Sequence, residues 1–353
     1  MRAITNISSL IDELPAEKKH VFQRLYDVVQ STGKSEVPED MEGWVQDTFG
    51  DVESVESQRV VRVVHRFLHE GALFNELRAS RPIDVKADVD VDEVVEEHSG
   101  GPFSKPKTGT PRDAFGRVEG KHCVTAANVA KYDAKHGLII YDEEHPHRVS
   151  EEALQDGFEV ARKWFDKAED EDHRYPFLMW NCLWKSGASI VHSHMQVTMG
   201  CSRHYAAPLK WDDAQSQYED VFGSSMVHDM HDVHDKLGLS VPLQEGAGFV
   251  SLTPRKEKEF VAVFDEYSPA GMATALRSVL DVYIDRLGVQ SFNVGLFLPP
   301  RGEDWSLPVV MRLVDRGGLS SKTTDMGGME VYGGENVVSS DPFKVAAALR
   351  EAF

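Results

Sequence analysis

The sequence predicts an α+β protein with a mostly antiparallel sheet in each of two halves. Three observations lead there. Helical and strand-like segments mix without the regular alternation that a doubly wound parallel sheet needs. At 353 residues the chain exceeds what one small core takes, so two domains or a duplicated one are expected. The tail repeats the helix-and-strand rhythm of the middle, with no short-period repeat.

Taken in order, residues 1–74 read as a helical N-terminal arm. Ser8 or Ser9 stands where a cap would, ahead of Leu10, Leu14, Val21 and Leu25. Val60, Val61, Val63, Val64, Phe67 and Leu68 give residues 55–70 a second helical period. Residues 75–82, NELRASRP, end the arm with Arg78 and Arg81. The acidic run at 84–98 reads as an edge strand or a solvated linker, and 100–117, rich in Gly, Pro, Ser and Thr, as a loop. The first half, 75–240, has strands expected at 137–141, 177–183 and 188–199. Its helix runs to about residue 168, capped by Ser150 with Glu151 and Glu152 in the first turn. Residues 201–245 are polar and irregular, with room for helices. The second half, 241–353, has strands expected at 248–253, 259–264, 292–298 and 308–314, a helix at 269–287, and a last helix opened by Asp341-Pro342.

Composition bounds the function. The chain is 41% hydrophobic, 9% aromatic and 27% charged, which is ordinary for a globular protein. A net charge of -20 argues against nucleic acid or an anionic membrane as the main partner, so an anionic substrate needs a local cluster of cations and N–H donors. Three cysteines without a CxxC pair fit a reducing compartment. Residues 1–20 lack the apolar core of a signal peptide, and no apolar run of about 18 residues exists, so a cytoplasmic location is expected.

The stretch that carries chemistry is 181–200, NCLWKSGASIVHSHMQVTMG. His192, His194 and Gln196 fall on every second residue of an apolar run, which on a strand puts them on one face. Two imidazoles and an amide in such a row are costly unless something uses them. Ser186-Gly187-Ala188-Ser189 just upstream offers small residues and N–H groups to a phosphate. His194 is therefore read as a nucleophile for phosphorus.

His192-Ser193-His194-Met195-Gln196, with Gly187-Ala188-Ser189 before it, resembles the histidine-triad superfamily, and Gln196 in place of a third histidine resembles its transferase branch. That branch holds galactose-1-phosphate uridylyltransferase and the NDP-sugar and dinucleoside-polyphosphate phosphorylases. The resemblance implies duplicated histidine-triad-like halves, a nucleotide contact for Asn181 and phosphate contacts for Ser189. Arg78 and Arg81 are similar to the branch's phosphate-holding Arg-x-x-Arg-Pro, residues 135–140 with His145 to its strand and following histidine, and Gly328-Met329-Glu330 to the Gly-aromatic-Glu that meets the sugar. A homodimer whose second half completes the partner's site is also implied. Departures are plain: the CxxC pair that binds structural metal with the first motif histidine is absent, leaving a zinc site without its usual ligands. A His-rich run in the second half is replaced by apolar residues, and Ser193 stands where the motif has proline.

The expected chemistry is double displacement. Neutral His194 attacks the α-phosphorus of an NDP-sugar or dinucleotide, a sugar 1-phosphate or nucleotide leaves, and a second phosphate-bearing acceptor resolves the nucleotidyl-histidine. Gln196 gives an amide N–H to a phosphoryl oxygen but cannot act as acid or base for water. Exchange between an NDP-sugar and a hexose 1-phosphate is the first expectation. A phosphorylase of NDP-sugars or Ap4A-type dinucleotides is the alternative, and a catalytically silent nucleotide-binding protein the third. Against these stand blander readings: His192 as a shaping neighbour, Arg78 and Arg81 as solvated cations, and Gly328 and Glu330 as a turn and a salt bridge. His145-Pro146-His147 reads as a strand exit, and His228, His231 and His234 as an exposed helical face before a metal cluster.

Overall fold

The computed structural model describes residues 2–75, 77–78, 89–321 and 324–352. The N-terminal region opens with helices α1 (Ile7–Asp12) and α2 (Ala16–Leu25), the latter burying Val21, Phe22 and Leu25. It continues with β1 (Tyr26–Lys34), α3 (Glu39–Phe49), α4 (Val52–Glu56), β2 (Ser57–His65) and β3 (Gly71–Phe74). Here the expected helix at 55–70 is corrected. Its β-branched valines satisfy a helical period, but they pair with β1 as a long antiparallel ladder, with Tyr26 opposite His65 and Lys34 opposite Ser57.

The middle runs through α5 (Val91–Glu97), α6 (Pro106–Gly109), β4 (Cys123–Ala127), β5 (Lys135–Tyr141), α7 (Glu151–Ala168), β6 (His173–Cys182) and β7 (His194–Cys201). The described part of the acidic run is thus helix α5, neither strand nor linker, and Asp90 caps it by accepting the Asp92 N–H at 2.9 Å. Two helices fill the stretch expected to be irregular, α8 (Ala206–Phe222) and α9 (Met226–Leu237). The remainder is β8 (Ser240–Val241), β9 (Ala247–Val250), β10 (Glu257–Phe264), α10 (Pro269–Asp285), β11 (Phe292–Phe297), β12 (Val309–Asp315), β13 (Glu335–Val338) and α11 (Pro342–Arg350).

Nine strands form one antiparallel sheet in the order β4-β5-β7-β6-β11-β12-β10-β9-β8. The order is a mirror about the β6–β11 pair. Each half repeats strand, strand, helix, strand, strand: β4-β5-α7-β6-β7 and β9-β10-α10-β11-β12. That repetition is the duplication expected from the sequence, and the two halves share a continuous ladder from Phe177 opposite Phe297 to Cys182 opposite Phe292. A second sheet, β1-β2-β3-β13, joins the chain's beginning to its end through the parallel β3–β13 pair.

Helix α7 explains which face of the sheet is covered. Ser150 accepts the Ala153 N–H at 3.2 Å, as its position predicts, and Leu154, Phe158, Ala161, Trp164, Phe165 and Ala168 then recur at helical spacing and are all buried. Each large apolar side chain here contributes roughly 1.5–3 kcal/mol. The packing is close: a Cβ on Gly137 of β5 would sit 2.7 Å from the Trp164 ring nitrogen. Ile139, Tyr141, Met195, Val197 and Met199 point into this core. Alternation then sends Leu138, Ile140, His194 and Gln196 to the opposite face, where a small cluster of Phe103, Ala126, Leu138 and Ile140 partly covers them.

Candidate active site

Strand β7 begins at His194, six residues later than the expected start at 188. Residues 188–193 form a loop because Ser193 is drawn off the ladder: its N–H donates to Glu144 O at 3.0 Å and its hydroxyl to Glu143 O. The expected row of His192, His194 and Gln196 along one strand is corrected accordingly. His194 and Gln196 share a face, opposite Ile140 and Leu138, whereas His192 precedes the strand. The His192 ring donates Nε2–H to the Tyr141 carbonyl at 2.8 Å, and its Nδ1 lies 4.0 Å from the Glu144 carboxylate.

His194 is 6% exposed, its ring centroid 5.1 Å from that of Phe103 in a T-shaped contact. Its Nδ1 lies 2.8 Å from the His192 carbonyl oxygen. A carbonyl only accepts, so the proton is on Nδ1 and Nε2 keeps its lone pair. Burial pushes its pKa down to about 4, against the opposing pull of that hydrogen bond and with some help from His192. The ring is therefore neutral at neutral pH, with one nitrogen bare. Gln196 is 5% exposed and its Oε1 lies 3.0 Å from His136 Nε2.

The loop between β6 and β7 is built for close approach. Leu183 adopts φ 64°, ψ 174°, a conformation that costs a side-chain-bearing residue about 1–3 kcal/mol and clusters at functional sites. Its carbonyl gathers the N–H groups of Ser186 and Ala188, both at 3.2 Å, and the Ser186 hydroxyl at 2.7 Å. Gly187 follows at φ 95°, where only glycine is unstrained. Gly187 and Ser189 are both exposed, and among the described residues the N–H groups of Ser189 and Ile190 have no acceptor.

Asn181 stands opposite Asn293 of β11. Asn293 Nδ2 donates to Ser186 O at 3.0 Å and to Asn181 Oδ1 at 2.7 Å, while Arg316 donates to Asn293 Oδ1. Arg316 is held in turn by both oxygens of Asp325, at 2.6 and 2.9 Å. This chain of bonds holds the Asn181 oxygen as an acceptor and leaves its NH2 as a donor. Asn293 and Arg316 were missed by the sequence reading; only strand pairing brings them to the motif.

Arg78, Gly328 and Glu330, which lie far apart in sequence, line one cavity of about 510 Å³ together with Lys256, Arg316 and Asp325. Glu330 accepts the Gly327 N–H at 2.9 Å and lies 3.6 Å from Lys256. Burial works to raise its pKa, but backbone N–H groups and Lys256 together bring it below the usual carboxylate value. His194 and Gln196 do not line this cavity; from it, Arg316 and Asn293 lead to Asn181 and the Ser186 carbonyl. Arg81 lies outside the described residues.

The decoys resolve into structure. His147 Nε2–H donates to Gln290 O at 2.8 Å, and its N–H bonds His145 Nδ1 at 3.1 Å. His234, expected on an exposed face, is fully buried, with Nδ1–H on Met230 O at 2.7 Å and Nε2 accepting the Leu252 N–H at 3.3 Å. Among the described residues no three His, Cys, Asp or Glu side chains converge as a metal would require. His192 has committed Nε2–H to a carbonyl, and Cys123 and Cys182 are both buried on separate strands, β4 and β6. Among the described residues no helix is long and apolar enough to cross a membrane.

A mirrored nine-stranded antiparallel sheet, with one helix crossing each half and a His-x-Gln pair opening the last strand of the first half, is a fold shared with solved GalT-like and uridylyltransferase structures. Solved structures of that fold match the chain. An ADP-glucose phosphorylase from Arabidopsis thaliana with bound ADP-glucose superposes with a TM-score of 0.64 at 14% identity, over 80% of this chain and 95% of that one. A GalT-like protein from the same plant gives 0.61 at 14%, over 72% and 92%. A uridylyltransferase gives 0.57 at 14%, over 69% and 88%. No protein-family model matches the sequence, and no curated protein matches it.

Proposed function

We propose that the chain is a nucleotidyltransferase that works by double displacement through a covalent nucleotidyl-His194. The observation that carries this is the His194 ring: neutral, pinned through Nδ1–H, and bare at Nε2, with an amide in place of a third imidazole two residues on. In the first step the Nε2 lone pair forms a bond to the α-phosphorus of a nucleoside diphosphate derivative. The bond from that phosphorus to the bridging oxygen breaks, and the electron pair leaves with a sugar 1-phosphate. In the second step a phosphate oxygen of the acceptor attacks, the P–N bond breaks, and the neutral ring returns. Gln196, Ser189 and neighbouring N–H groups hold the non-bridging oxygens, Asn181 contacts the nucleoside, and Arg78 and Arg81 balance the leaving or entering phosphate.

The favoured reaction is exchange between an NDP-sugar and a hexose 1-phosphate. Support comes from the cavity of Gly328 and Glu330, whose lining mixes cations with carboxylates and includes no aromatic ring among the described residues. Such a lining suits the hydroxyls of a sugar better than a second base, which binds by stacking. Phosphorolysis of an NDP-sugar is the second reading, favoured by the similarity to a phosphorylase holding ADP-glucose. On either reading we place the protein in the cytoplasm and expect a homodimer.

Trapping decides. The protein is incubated with α-labelled UDP-glucose, a GDP-sugar, ADP-glucose or Ap4A without acceptor and quenched in alkali. Protein-bound label on the wild type and none on His194→Ala is the expected result. A chase with hexose 1-phosphate against inorganic phosphate then separates the two readings. Nucleotide binding without label from any donor would instead make the chain a catalytically silent binding protein.

A further inference from the structure

Gln196 can serve a phosphoryl oxygen only if its nitrogen, and not its oxygen, faces the reacting group. Rotation of the amide by half a turn exchanges the two, and β7 itself carries nothing that decides between them. The decision is made on β5. His136 lies on the same face, opposite Thr198, and so on the side of Gln196 away from His194. Its ring is fully buried beneath Tyr132, whose ring centroid is 4.4 Å away.

A backbone hydrogen bond decides the protonation pattern of that imidazole. The Tyr132 N–H donates to His136 Nδ1 at 3.0 Å, so Nδ1 carries a lone pair and the neutral ring's proton is on Nε2. Nε2 lies 3.0 Å from Gln196 Oε1. The Asn128 amide also approaches Nε2, at 3.2 Å, but its oxygen is taken by the Ala130 N–H at 3.1 Å and its nitrogen cannot accept. Gln196 Oε1 is therefore the acceptor for His136 Nε2–H. Burial lowers the His136 pKa, against the raising effect of Gln196, so the neutral ring persists at neutral pH.

We infer that His136 is a positioning residue: by accepting from the Tyr132 backbone and donating to Gln196 Oε1, it turns the Gln196 NH2 toward His194 and the phosphoryl group. This rests on the nucleotidyl-transfer reading for its consequence, but not for its geometry. His136 touches no reacting atom and acts only through Gln196.

The test is a double-mutant cycle with a spectroscopic control. Rates of nucleotidyl-His194 formation and donor affinity are measured for wild type, His136→Phe, His136→Gln, Gln196→Ala and the double variant His136→Phe with Gln196→Ala. Losing a preorganised donor costs about 100-fold in rate, and leaving it free to rotate about 10-fold. His136→Phe is expected to lose rate with donor affinity changed less than about twofold. His136→Gln, which can accept from Tyr132 and donate to Gln196, is expected to recover most of the rate. In the Gln196→Ala background His136→Phe should cost nothing further. Additive losses, or equal losses in His136→Phe and His136→Gln, overturn the inference. Separately, the long-range 1H–15N spectrum of the wild-type imidazole should show Nε2 protonated and Nδ1 bare. The opposite tautomer overturns the inference even if every variant folds poorly. A wild type that forms no adduct but shows the expected tautomer removes the proposed function and leaves the positioning geometry intact.

Discussion

Adduct formation by His194 should continue far below the pH at which an ordinary histidine stops reacting. The perturbation is proton concentration alone, because the diphosphate diester of an NDP-sugar has no group that titrates through this range. Burial holds the His194 pKa at about 4, so protonating it costs about 3 kcal/mol more than protonating a solvated ring with a pKa of about 6.5. At pH 5.5 a ring at 6.5 is about one-tenth neutral, whereas a ring at about 4 is ~97% neutral, a roughly tenfold difference in nucleophile. The assay is rapid-quench trapping of label from the donor, read as a first-order rate at half-unit steps from pH 8 to pH 4. The expected profile is flat to about pH 5 and falls below it. An inflection near 6.5 would refute the reasoning, since it would mean that the ring is solvated when it reacts or that the Nδ1–H bond to His192 O does not hold it.

Three further outcomes follow from the same coordinates. Asn293→Ala frees the Asn181 amide from its partner across the strand pair, and nucleotide affinity measured by calorimetry should weaken about 5- to 10-fold, the worth of about 1–1.5 kcal/mol of lost orientation; unchanged affinity would mean that Asn181 does not meet the nucleotide. Arg312→Met leaves Glu70 and Glu259 buried without their shared cation, and urea denaturation should show a loss of about 3–5 kcal/mol, with no change counting against the network. The buried rings of His65 and His234, with pKa about 3, and of His147 and His194, with pKa about 4, are all held down by burial. The unfolded chain then binds more protons than the folded one between these values and about 6.5, so stability is full above about pH 6.5 and drains as pH falls toward 4. Thermal midpoints that stay level from pH 7 to 4.5 would contradict that sign.

Local signals carried the sequence reading as far as local physics determines structure. The α7 cap, the α10 segment and the short apolar runs of β5, β10 and β12 are decided within a few residues, and those elements stand where the sequence puts them. Residues 57–65 are different. Val60, Val61, Val63 and Val64 suit a helical stripe and a strand equally, and pairing with β1 settles the matter. The start of β7 was likewise invisible, because the bonds that pull Ser193 away end on Glu143 and Glu144, some fifty positions earlier. The motif itself was legible because His194 and Gln196 are two residues apart. Their supports were not: His136, Asn293 and Arg316 reach the site only through strand register.

That register also separates the two ends of the duplicated sheet. Leu138, Gln196, Met179, Gly295 and Arg312 oppose one another in turn across five strands and so share a face. At the Gln196 end of this row a small apolar cluster stands over the strands, and the amide is free to meet a ligand. At the other end, Arg312 is locked between Glu259 at 2.8 Å and Glu70 at 3.0 Å, with its guanidinium 4.7 Å from the centre of the Trp211 ring. Glu70 comes from the hairpin side of the N-terminal sheet and Trp211 from α8, so two elements with no counterpart in the repeat close the face over β12. Burial opposes ionising Glu70, yet Arg312, Arg255 and Lys210 together hold its pKa at about 2. The network is fully paired, and a paired buried network leaves no polar group to offer a substrate. Sealing one end of the row in this way leaves the other to the Gln196 amide, whose nitrogen has no partner among the described residues, and to the bare imidazole nitrogen of His194.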